Sequence, residues 1–149
     1  MKNSDIINFH KALCYVRNLE GVKFSYAVTM NKRRLKDTVD SLMKAIEPYD
    51  RERERINETY CLRENGKPVI KNGVYMFGSI QTQESCEREI AALKERFKTE
   101  LDDYAELLEQ DTEVSIHKIK MENMPENVKQ WQLEALIPMI IDFEPNEGV

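Results

Sequence analysis

Two stripes of apolar residues dominate the pattern along this chain, and each recurs at intervals of three and four residues. Such spacing places each stripe on one side of an α-helix. The stripes comprise Leu35, Val39, Leu42, Ile46, Tyr49, Ile56 and Tyr60, then Cys86, Ile90, Leu93, Phe97, Leu101, Tyr104 and Leu108. The pattern therefore predicts an antiparallel pair of long helices, with residues 22–62 running out and residues 82–110 running back.

The segment between the stripes, residues 66–77, is predicted to form a β-hairpin. Asn72 and Gly73 both tolerate positive φ, which a two-residue hairpin turn requires. Apolar and aromatic residues that favour strands lie on both sides of this turn. An isolated two-stranded hairpin is marginal in water, so we expect it to cap the tip of the helical pair.

Pro48 interrupts the first stripe. Proline has no N–H to donate to the helix, and its ring crowds the preceding turn. The apolar spacing keeps its phase on both sides, which favours a kinked, nearly continuous helix. The alternative places Pro48 in the first turn of a separate helix that begins after a poor cap at Glu47.

An amphipathic helix is predicted at residues 1–20, before the helical pair. Asn3 or Ser4 is its expected N-cap, and Gly21 is expected to end or bend it. Thr82 is the expected N-cap of the returning long helix.

After the helical pair, residues 112–141 are predicted to form a short strand and a helix. The strand, residues 113–119, could pair with the hairpin or with a partner chain. The helix is expected to start at Pro125 and to break at Pro138. Residues 144–149 are predicted to be a frayed tail.

The fold class predicted from these elements is mainly α with a small β element, α+β. A coiled-coil-like antiparallel pair of long helices has a hairpin at its tip and a short C-terminal strand and helix. No internal repeat and no linker is evident, so residues 1–149 are predicted to be a single domain.

Composition supports this interpretation. Charged residues make up 33% of the 149 residues, and there are only 5 Gly and 5 Pro, as long solvated helices require. The net charge of -5 conceals an asymmetry, because residues from 100 onward include 13 acids and 3 bases. A basic cluster at residues 31–36 is expected to be a solvated helix face. Nucleic acid is therefore not an expected partner.

No run of about 18 apolar residues and no signal-peptide core is present, so we expect no membrane contact and a cytoplasmic location. The three cysteines, Cys14, Cys61 and Cys86, are expected to be reduced. Cys61 and Cys86 flank the hairpin and could approach each other in an antiparallel pair.

Candidate chemistry is sparse. His10 and Cys14 are four residues apart on one helix face, a spacing that a metal or a thiol with its base could use. A zinc site needs about four ligands, and no other soft ligands are spaced to complete one. No nucleotide-binding, hydrolase or metalloprotease motif is present. We therefore predict no catalytic residue, cofactor, metal or small-molecule ligand.

Three residues are candidates for protein contacts. Trp131 is the only tryptophan, and aromatic residues often anchor interfaces. It could instead seal the C-terminal helix against the helical pair. Arg53 occupies a position on the first stripe, where a charged residue often sets register or extends past the seam. Tyr75 follows the hairpin turn.

The chain resembles a family of short phage and prophage proteins of unknown function. The resemblance rests on Asn72-Gly73-Val74-Tyr75, on residues 113–119, and on residues 133–140 with their ALxPMI-like stretch. It covers residues 25–141, and family members also have a long helix, an NGxY turn and a returning helix. The resemblance implies a phage or mobile-element origin in a bacterial cell, and it implies no activity.

Three functions are consistent with the sequence. The first is a non-enzymatic protein that acts through protein–protein interaction or assembly, with another protein or with itself. The second is an acidic phage-encoded inhibitor of a host protein such as a defence nuclease, since acidic surfaces compete for basic channels. The third is a small thiol-dependent enzyme or regulator that uses Cys14 with His10.

Overall fold

Each of the two predicted long helices is a pair of consecutive helices in the computed structural model, which describes residues 1–143. Residues 144–149, predicted as a tail, lie outside the described residues. The fold is mainly helical with two small antiparallel strand pairs, as the α+β prediction requires. The helices within the described residues are α1 (Asn3–Tyr15), α2 (Val22–Ala45), α3 (Glu47–Tyr60), α4 (Ile80–Arg96), α5 (Lys98–Glu109) and α6 (Gln130–Ala135).

Pro48 lies in the first turn of α3, so the favoured interpretation of one kinked helix is wrong and the alternative of a separate helix holds. The cap expected at Glu47 is wrong, because Ile46 is the N-cap position and Glu47 is the first helical residue. α2 ends at Ala45, and Ile46 separates it from α3 with φ -112° and ψ 9°. Proline is tolerated there because the first helical N–H groups have no intrahelical partner. The Ile46 carbonyl still accepts the N–H of Asp50 (3.1 Å), which keeps the apolar positions in phase across the break. Phe97 interrupts the returning helix in the same way, between α4 and α5.

The described chain comprises two compact units. Unit 1 contains residues 1–42 and the described residues from 107 to 143, and unit 2 contains Met43–Glu106. The first apolar stripe is divided between their cores, because Leu35 and Val39 belong to the core of unit 1 while Ile46, Tyr49 and Ile56 belong to that of unit 2. The expectation of a single domain stays a prediction.

Unit 1 is built around α1, α2 and the C-terminal segment. α1 contributes Ile6, Phe9 and Leu13, which recur at helical spacing and are at most 2% exposed. α6 packs against α1. The other buried apolar residues of this core are Ala12, Val16, Phe24, Ala27, Val28, Leu35, Val39, Ile119, Leu136, Met139 and Ile140.

Two predicted caps are wrong. Lys2, not Asn3 or Ser4, is the N-cap position of α1, and it makes no side-chain cap bond. The Asn3 side chain is buried and bonded elsewhere. Ser79 caps α4 by accepting the N–H of Thr82 on its hydroxyl, so Thr82 lies inside the helix instead of capping it.

In unit 2, α3 packs against α4. Pairs of residues run in opposite directions along the two helices, since Tyr49 contacts Phe97 while Asn57 contacts Cys86. This order shows that the two helices are antiparallel. The buried core here is Ile46, Tyr49, Ile56, Cys86 and Leu93. A long coiled-coil-like pair is not confirmed, because both predicted helices are interrupted.

A double hairpin, residues 62–76, joins α3 to α4. The predicted turn at Asn72-Gly73 is confirmed: its φ values are 51° and 76°, and β3 (Ile70–Lys71) pairs with β4 (Val74–Tyr75). A second hairpin, missed by the prediction, precedes it. There Asn65-Gly66, with φ of 52° and 77°, joins β1 (Arg63–Glu64) to β2 (Lys67–Pro68).

The two hairpins follow one seven-residue pattern in tandem, which consists of a shared Asn-Gly pair. An Asn-Gly turn occupies the same place in residues 62–68 and 69–75. Backbone hydrogen bonds close the repeat into a ring, with N–H to carbonyl distances of 2.7 Å from Leu62 to Met76, 2.8 Å from Val69 to Leu62 and 3.0 Å from Met76 to Val69. The double hairpin thus satisfies these backbone groups internally.

The C-terminal segment differs from its prediction. Residues 113–118 belong to no strand pair, and Ile119 forms only a single parallel bridge with Ile140. Pro125 precedes α6 by five residues, after a short 3₁₀ helix at Met121–Asn123. Pro138 does end the helical stretch, inside a second 3₁₀ turn at Ile137–Met139.

Candidate functional site

An extended arm, residues 112–119, crosses unit 1 and is held by two buried asparagines. Asn31, fully buried on α2, accepts the His117 N–H on Oδ1 (2.7 Å) and donates from Nδ2 to the His117 carbonyl (2.9 Å). Neighbouring antiparallel strands exchange the same two bonds between paired residues. The Asn31 amide therefore takes the place of an adjacent strand, which explains why the arm lies in no sheet.

Asn3 holds the beginning of the arm. It is 3% exposed on α1, its Nδ2 donates to the Leu107 carbonyl (2.8 Å), and its Oδ1 accepts the Thr112 hydroxyl (2.5 Å). A buried amide without partners costs about 1–3 kcal/mol, so the bonds of both asparagines stabilise this arrangement of the arm.

The remaining backbone bonds of the arm lie on the same side as Asn31. Arg34 donates to the Ser115 carbonyl (3.5 Å) and hydroxyl (3.3 Å). Ile119 donates its N–H to the Met139 carbonyl (2.8 Å) and accepts that of Ile141 on its own carbonyl (2.9 Å). From residue 113 onward, the bonded positions are thus 115, 117 and 119.

The alternate positions form an open edge, consisting of Val114, Ile116 and Lys118. Backbone groups of successive residues in an extended chain point to opposite sides, so these three face away from Asn31. Within residues 1–143, their N–H and carbonyl groups make no hydrogen bond. The Val114 and Ile116 side chains pack against the core of unit 1, which orients this stretch of backbone.

A cleft of about 510 Å³ adjoins the arm in unit 1. This volume lies within the range of about 300–1,000 Å³ that is usual for binding pockets. Apolar side chains in its lining are largely exposed: Val22 by 90%, Tyr26 by 55% and Ile141 by 61%. The Tyr26 ring stands edge-on to His117, with ring centroids 5.2 Å apart. The cleft therefore offers apolar surface that the described fold leaves uncovered.

Lysines surround this apolar surface. Lys23, Lys118 and Lys120 line the cleft, while Glu122 is the carboxylate in its lining. Lys118 belongs both to the cleft and to the open edge of the arm. The arrangement can accept an anionic group beside an apolar one, and backbone hydrogen bonds alongside both.

The three residues predicted for protein contacts fall into different units. Trp131 lies on α6 of unit 1 and is 55% exposed, so more than half of its surface is not packed against that unit. Arg53 and Tyr75 both lie in unit 2.

Arg53 is exposed on α3, and its role in protein contacts stays a prediction. Its guanidinium lies 5.7 Å from the centroid of the Tyr49 ring and 3.4 Å from an Asp50 carboxylate oxygen. Burial raises the pKa of Tyr75, the carboxylates of Glu54 and Glu58 raise it further, and Arg53 opposes them. The positive charge of Arg53 therefore acts on the Tyr75 hydroxyl, although the two residues are distant in sequence.

His10 and Cys14, the candidates for thiol chemistry, lie on the same helix, α1. His10 and Cys14 line one shallow surface of α1, where Cys14 is exposed. Partial burial and then the charge of Lys32 lower the pKa of His10. Among the described residues, no three His, Cys, Asp or Glu side chains are grouped as a metal site would need.

Cys61 and Cys86 are buried, unbridged thiols of unit 2. The Cys86 thiol donates to Asn57 Oδ1 (3.4 Å), and burial raises its pKa, with Cys61 among the smaller causes. A raised pKa keeps the thiol protonated near neutral pH and lowers its reactivity.

Sequence reasoning missed Asn31, Asn3 and the residues around Tyr26. A usable signal was present for Asn31, which continues the apolar positions Phe24, Val28 and Leu35 at helical spacing. A polar residue on such a stripe is buried and needs a partner. The basic residues that follow Asn31 instead favour the interpretation of residues 31–36 as a solvated helix face.

No helix among residues 1–143 is long and apolar enough to cross a membrane. Comparisons of the chain with protein-family models, with curated proteins and with solved structures found no match.

Proposed function

We propose that this chain is a non-enzymatic protein of phage or prophage origin that acts by binding another protein, or by assembly, in the bacterial cytoplasm. The observation that carries the proposal is the cleft of unit 1, where exposed apolar side chains lie beside three lysines. The short motifs at residues 72–75, 113–119 and 133–140 support the phage origin.

The energetics favour a covered cleft. Full burial of an exposed Val, Ile or aromatic side chain contributes about 1.5–3 kcal/mol. Val22, Tyr26 and Ile141 present such area at one concave place. Contiguous apolar surface with a charged rim is typical of protein interaction sites.

The long coiled-coil-like pair remains part of this proposal. Its middle is supported by the antiparallel packing of α3 on α4 in unit 2, where Arg53 extends beyond the seam. Arg53 and Tyr75 would then offer a second contact surface on that unit.

The experiment compares two charged variants of tagged protein expressed in a bacterial host. Val22→Glu with Ile141→Glu places carboxylates in the cleft, whereas Ile80→Glu changes a residue of unit 2 that is 74% exposed. Quantitative mass spectrometry of co-purified proteins should show a specific partner lost from the double variant and retained by the Ile80→Glu control. Equal recovery of every partner with both variants would count against the cleft.

Assembly with copies of itself is tested on the same proteins by size-exclusion chromatography with light scattering. An oligomer that the cleft variant dissociates and the control leaves intact identifies the chain as its own partner. A strict monomer removes the self-assembly form of the proposal.

The acidic inhibitor is the second candidate, favoured by the surface of α5. Its five acidic residues are all exposed, against a single base at Lys98: Glu100, Asp102, Asp103, Glu106 and Glu109. Charge competition for a basic channel weakens with salt because the Debye length falls to about 3 Å at 1 M. Binding to a host nuclease that is unchanged by high salt would contradict this candidate.

A further inference from the structure

We infer that the open edge of the extended arm binds an extended, acidic segment of a partner protein as an added β-strand, with an apolar side chain of that segment in the adjoining cleft. This inference rests on the proposed function and specifies its partner and binding mode. It concerns unit 1 alone.

The unpaired backbone is the first support. Buried N–H and carbonyl groups almost always have partners, so the free groups of Val114, Ile116 and Lys118 must face water. A row of such groups along an extended chain is a template for another strand. Main-chain hydrogen bonds provide affinity in this binding mode, and pockets for alternate side chains provide specificity.

The arm is already held in place on its other side. Asn31 fixes both backbone groups of His117, and Ile119 bonds to Met139 and Ile141. Holding a binding segment in its bound conformation reduces the entropy lost on association. A bound strand would therefore meet an edge that is already ordered.

Charge identifies the occupant as acidic. Lys23, Lys118 and Lys120 line the cleft, and Lys118 also belongs to the open edge. The nearby carboxylates are those of Glu113 and Glu122. The three lysines therefore outnumber the two carboxylates around the cleft and the open edge.

A second copy of this chain is a poorer occupant. Its densest acidic run lies on α5, where the backbone is already hydrogen-bonded within the helix. Such a segment would have to unfold before it could add as a strand. A partner that supplies an acidic segment without structure of its own meets no such cost.

Three synthetic peptides test the inference on the full chain labelled with ¹⁵N. The first alternates glutamate with valine over seven residues, the second replaces glutamate with lysine, and the third is the acidic peptide N-methylated at every backbone nitrogen, which removes the donors from both of its edges. We expect only the first to bind, because the second has the wrong charge and the third lacks edge donors. Equal binding of the second or the third overturns the inference.

Amide hydrogen exchange identifies the edge directly. With the acidic peptide bound, exchange at Val114, Ile116 and Lys118 should slow by about tenfold or more, while His117 and Ile119 are already protected. Binding without protection at the three edge amides overturns strand addition. Protection that rises with protein concentration alone would identify a second copy as the occupant, and it also overturns the inference.

Two substitutions at one exposed residue separate charge from backbone. Lys118→Gln removes only the charge, whereas Lys118→Pro also removes the edge N–H, and circular dichroism checks that both fold. We expect the proline variant to bind the acidic peptide about tenfold more weakly than the glutamine variant. Equal affinities would contradict a hydrogen bond from this N–H.

The co-purification experiment keeps the two proposals distinct. If the acidic peptide fails to bind while Val22→Glu with Ile141→Glu still loses a specific host partner, strand addition fails and the proposed function stands. If co-purified partners are the same for all variants, the proposed function fails, and peptide binding alone then does not rescue it.

Discussion

The double hairpin of unit 2 and the extended arm of unit 1 use opposite means to satisfy an extended backbone. In the double hairpin, two copies of a seven-residue pattern bond to each other through Leu62, Val69 and Met76. In the arm, the side chains of Asn3 and Asn31 supply the bonds that a neighbouring strand would otherwise make.

The two segments differ in the backbone N–H and carbonyl groups that they leave unpaired. A ring of backbone bonds closes on itself and depends on turn geometry at two Asn-Gly pairs. An asparagine reaches only one side of an extended chain, so the other side of the arm keeps its unpaired groups. The arm is thus the segment suited to a partner, although the double hairpin has the regular strands.

The largest expected effect is that of Asn31→Ala. The substitution leaves the His117 N–H and carbonyl without a partner and opens a cavity at a fully buried site. We expect a loss of about 3 kcal/mol in the free energy of unfolding, measured by urea denaturation. Asn57→Ala, which removes a thiol acceptor in unit 2, is the matched control and should cost about 1 kcal/mol. Equal losses would remove the special role of Asn31.

Asn3→Ala should cost less, about 2 kcal/mol. Thr112, one of its two partners, is half-buried and can bond to water when the amide is lost. Hydrogen exchange should accelerate at the start of the arm and stay unchanged at the amides of the double hairpin. A matching acceleration in the double hairpin would contradict independent holding of the two segments.

Gly73→Ala tests the ring in unit 2. Nothing lies within 4 Å of the added Cβ, so the cost arises from a backbone φ of +76° and should be about 1 kcal/mol. Gly66→Ala, at +77°, should cost the same if the two repeats contribute equally. Gly78→Ala is the control, because that glycine has no positive φ and its Cβ would only touch Leu62 at 3.7 Å. The measurement is thermal denaturation. If Gly78→Ala lowers the melting temperature as much as the other two variants, the left-handed backbone is not the cause of their loss of stability.

The smallest expected effect is on the pH dependence of the free energy of unfolding. The titrating groups of the two units change this free energy in different pH ranges. His10 in unit 1 has a lowered pKa, so its folded form favours the neutral ring. The stability that the unit gains from a neutral His10 is therefore fully present above the unfolded pKa of about 6.5. It is lost as the pH falls through the lower pKa of the folded state. His10→Gln should flatten the dependence of unfolding free energy on pH between 7.5 and 5. An unchanged slope in the variant would assign the dependence to another group.

In unit 2 the corresponding loss of stability occurs at alkaline pH. Burial raises the pKa of Tyr75 and of Tyr104, so both favour the protonated phenol when folded. Stability from these groups is present below pH 10 and is lost as the pH rises through their higher folded pKa values. Substituting both tyrosines by phenylalanine should reduce that alkaline loss and leave the acidic one unchanged.

The local elements of the molecule were largely predictable. Apolar spacing identified the residues of α1 to α5 as helical but not the breaks at Ile46 and Phe97. Asn72-Gly73 identified its hairpin. Both signals depend on residues close in sequence. The same rule applied to Asn65-Gly66 would have found the first hairpin and the repeat. The candidate site was not predicted, since Trp131, Arg53 and Tyr75 were chosen as single residues and lie in two units.

The sequence by itself determined which residues could be helical, which turns could adopt positive φ, and which side of each helix would be apolar. Only the tertiary structure decided that one stripe serves two cores and that Asn31 holds His117 from 86 residues away. The physical reason is that periodicity reports the direction in which a side chain points along its own element. The partner that it meets there depends on how distant segments pack, and this packing left one edge of the arm open.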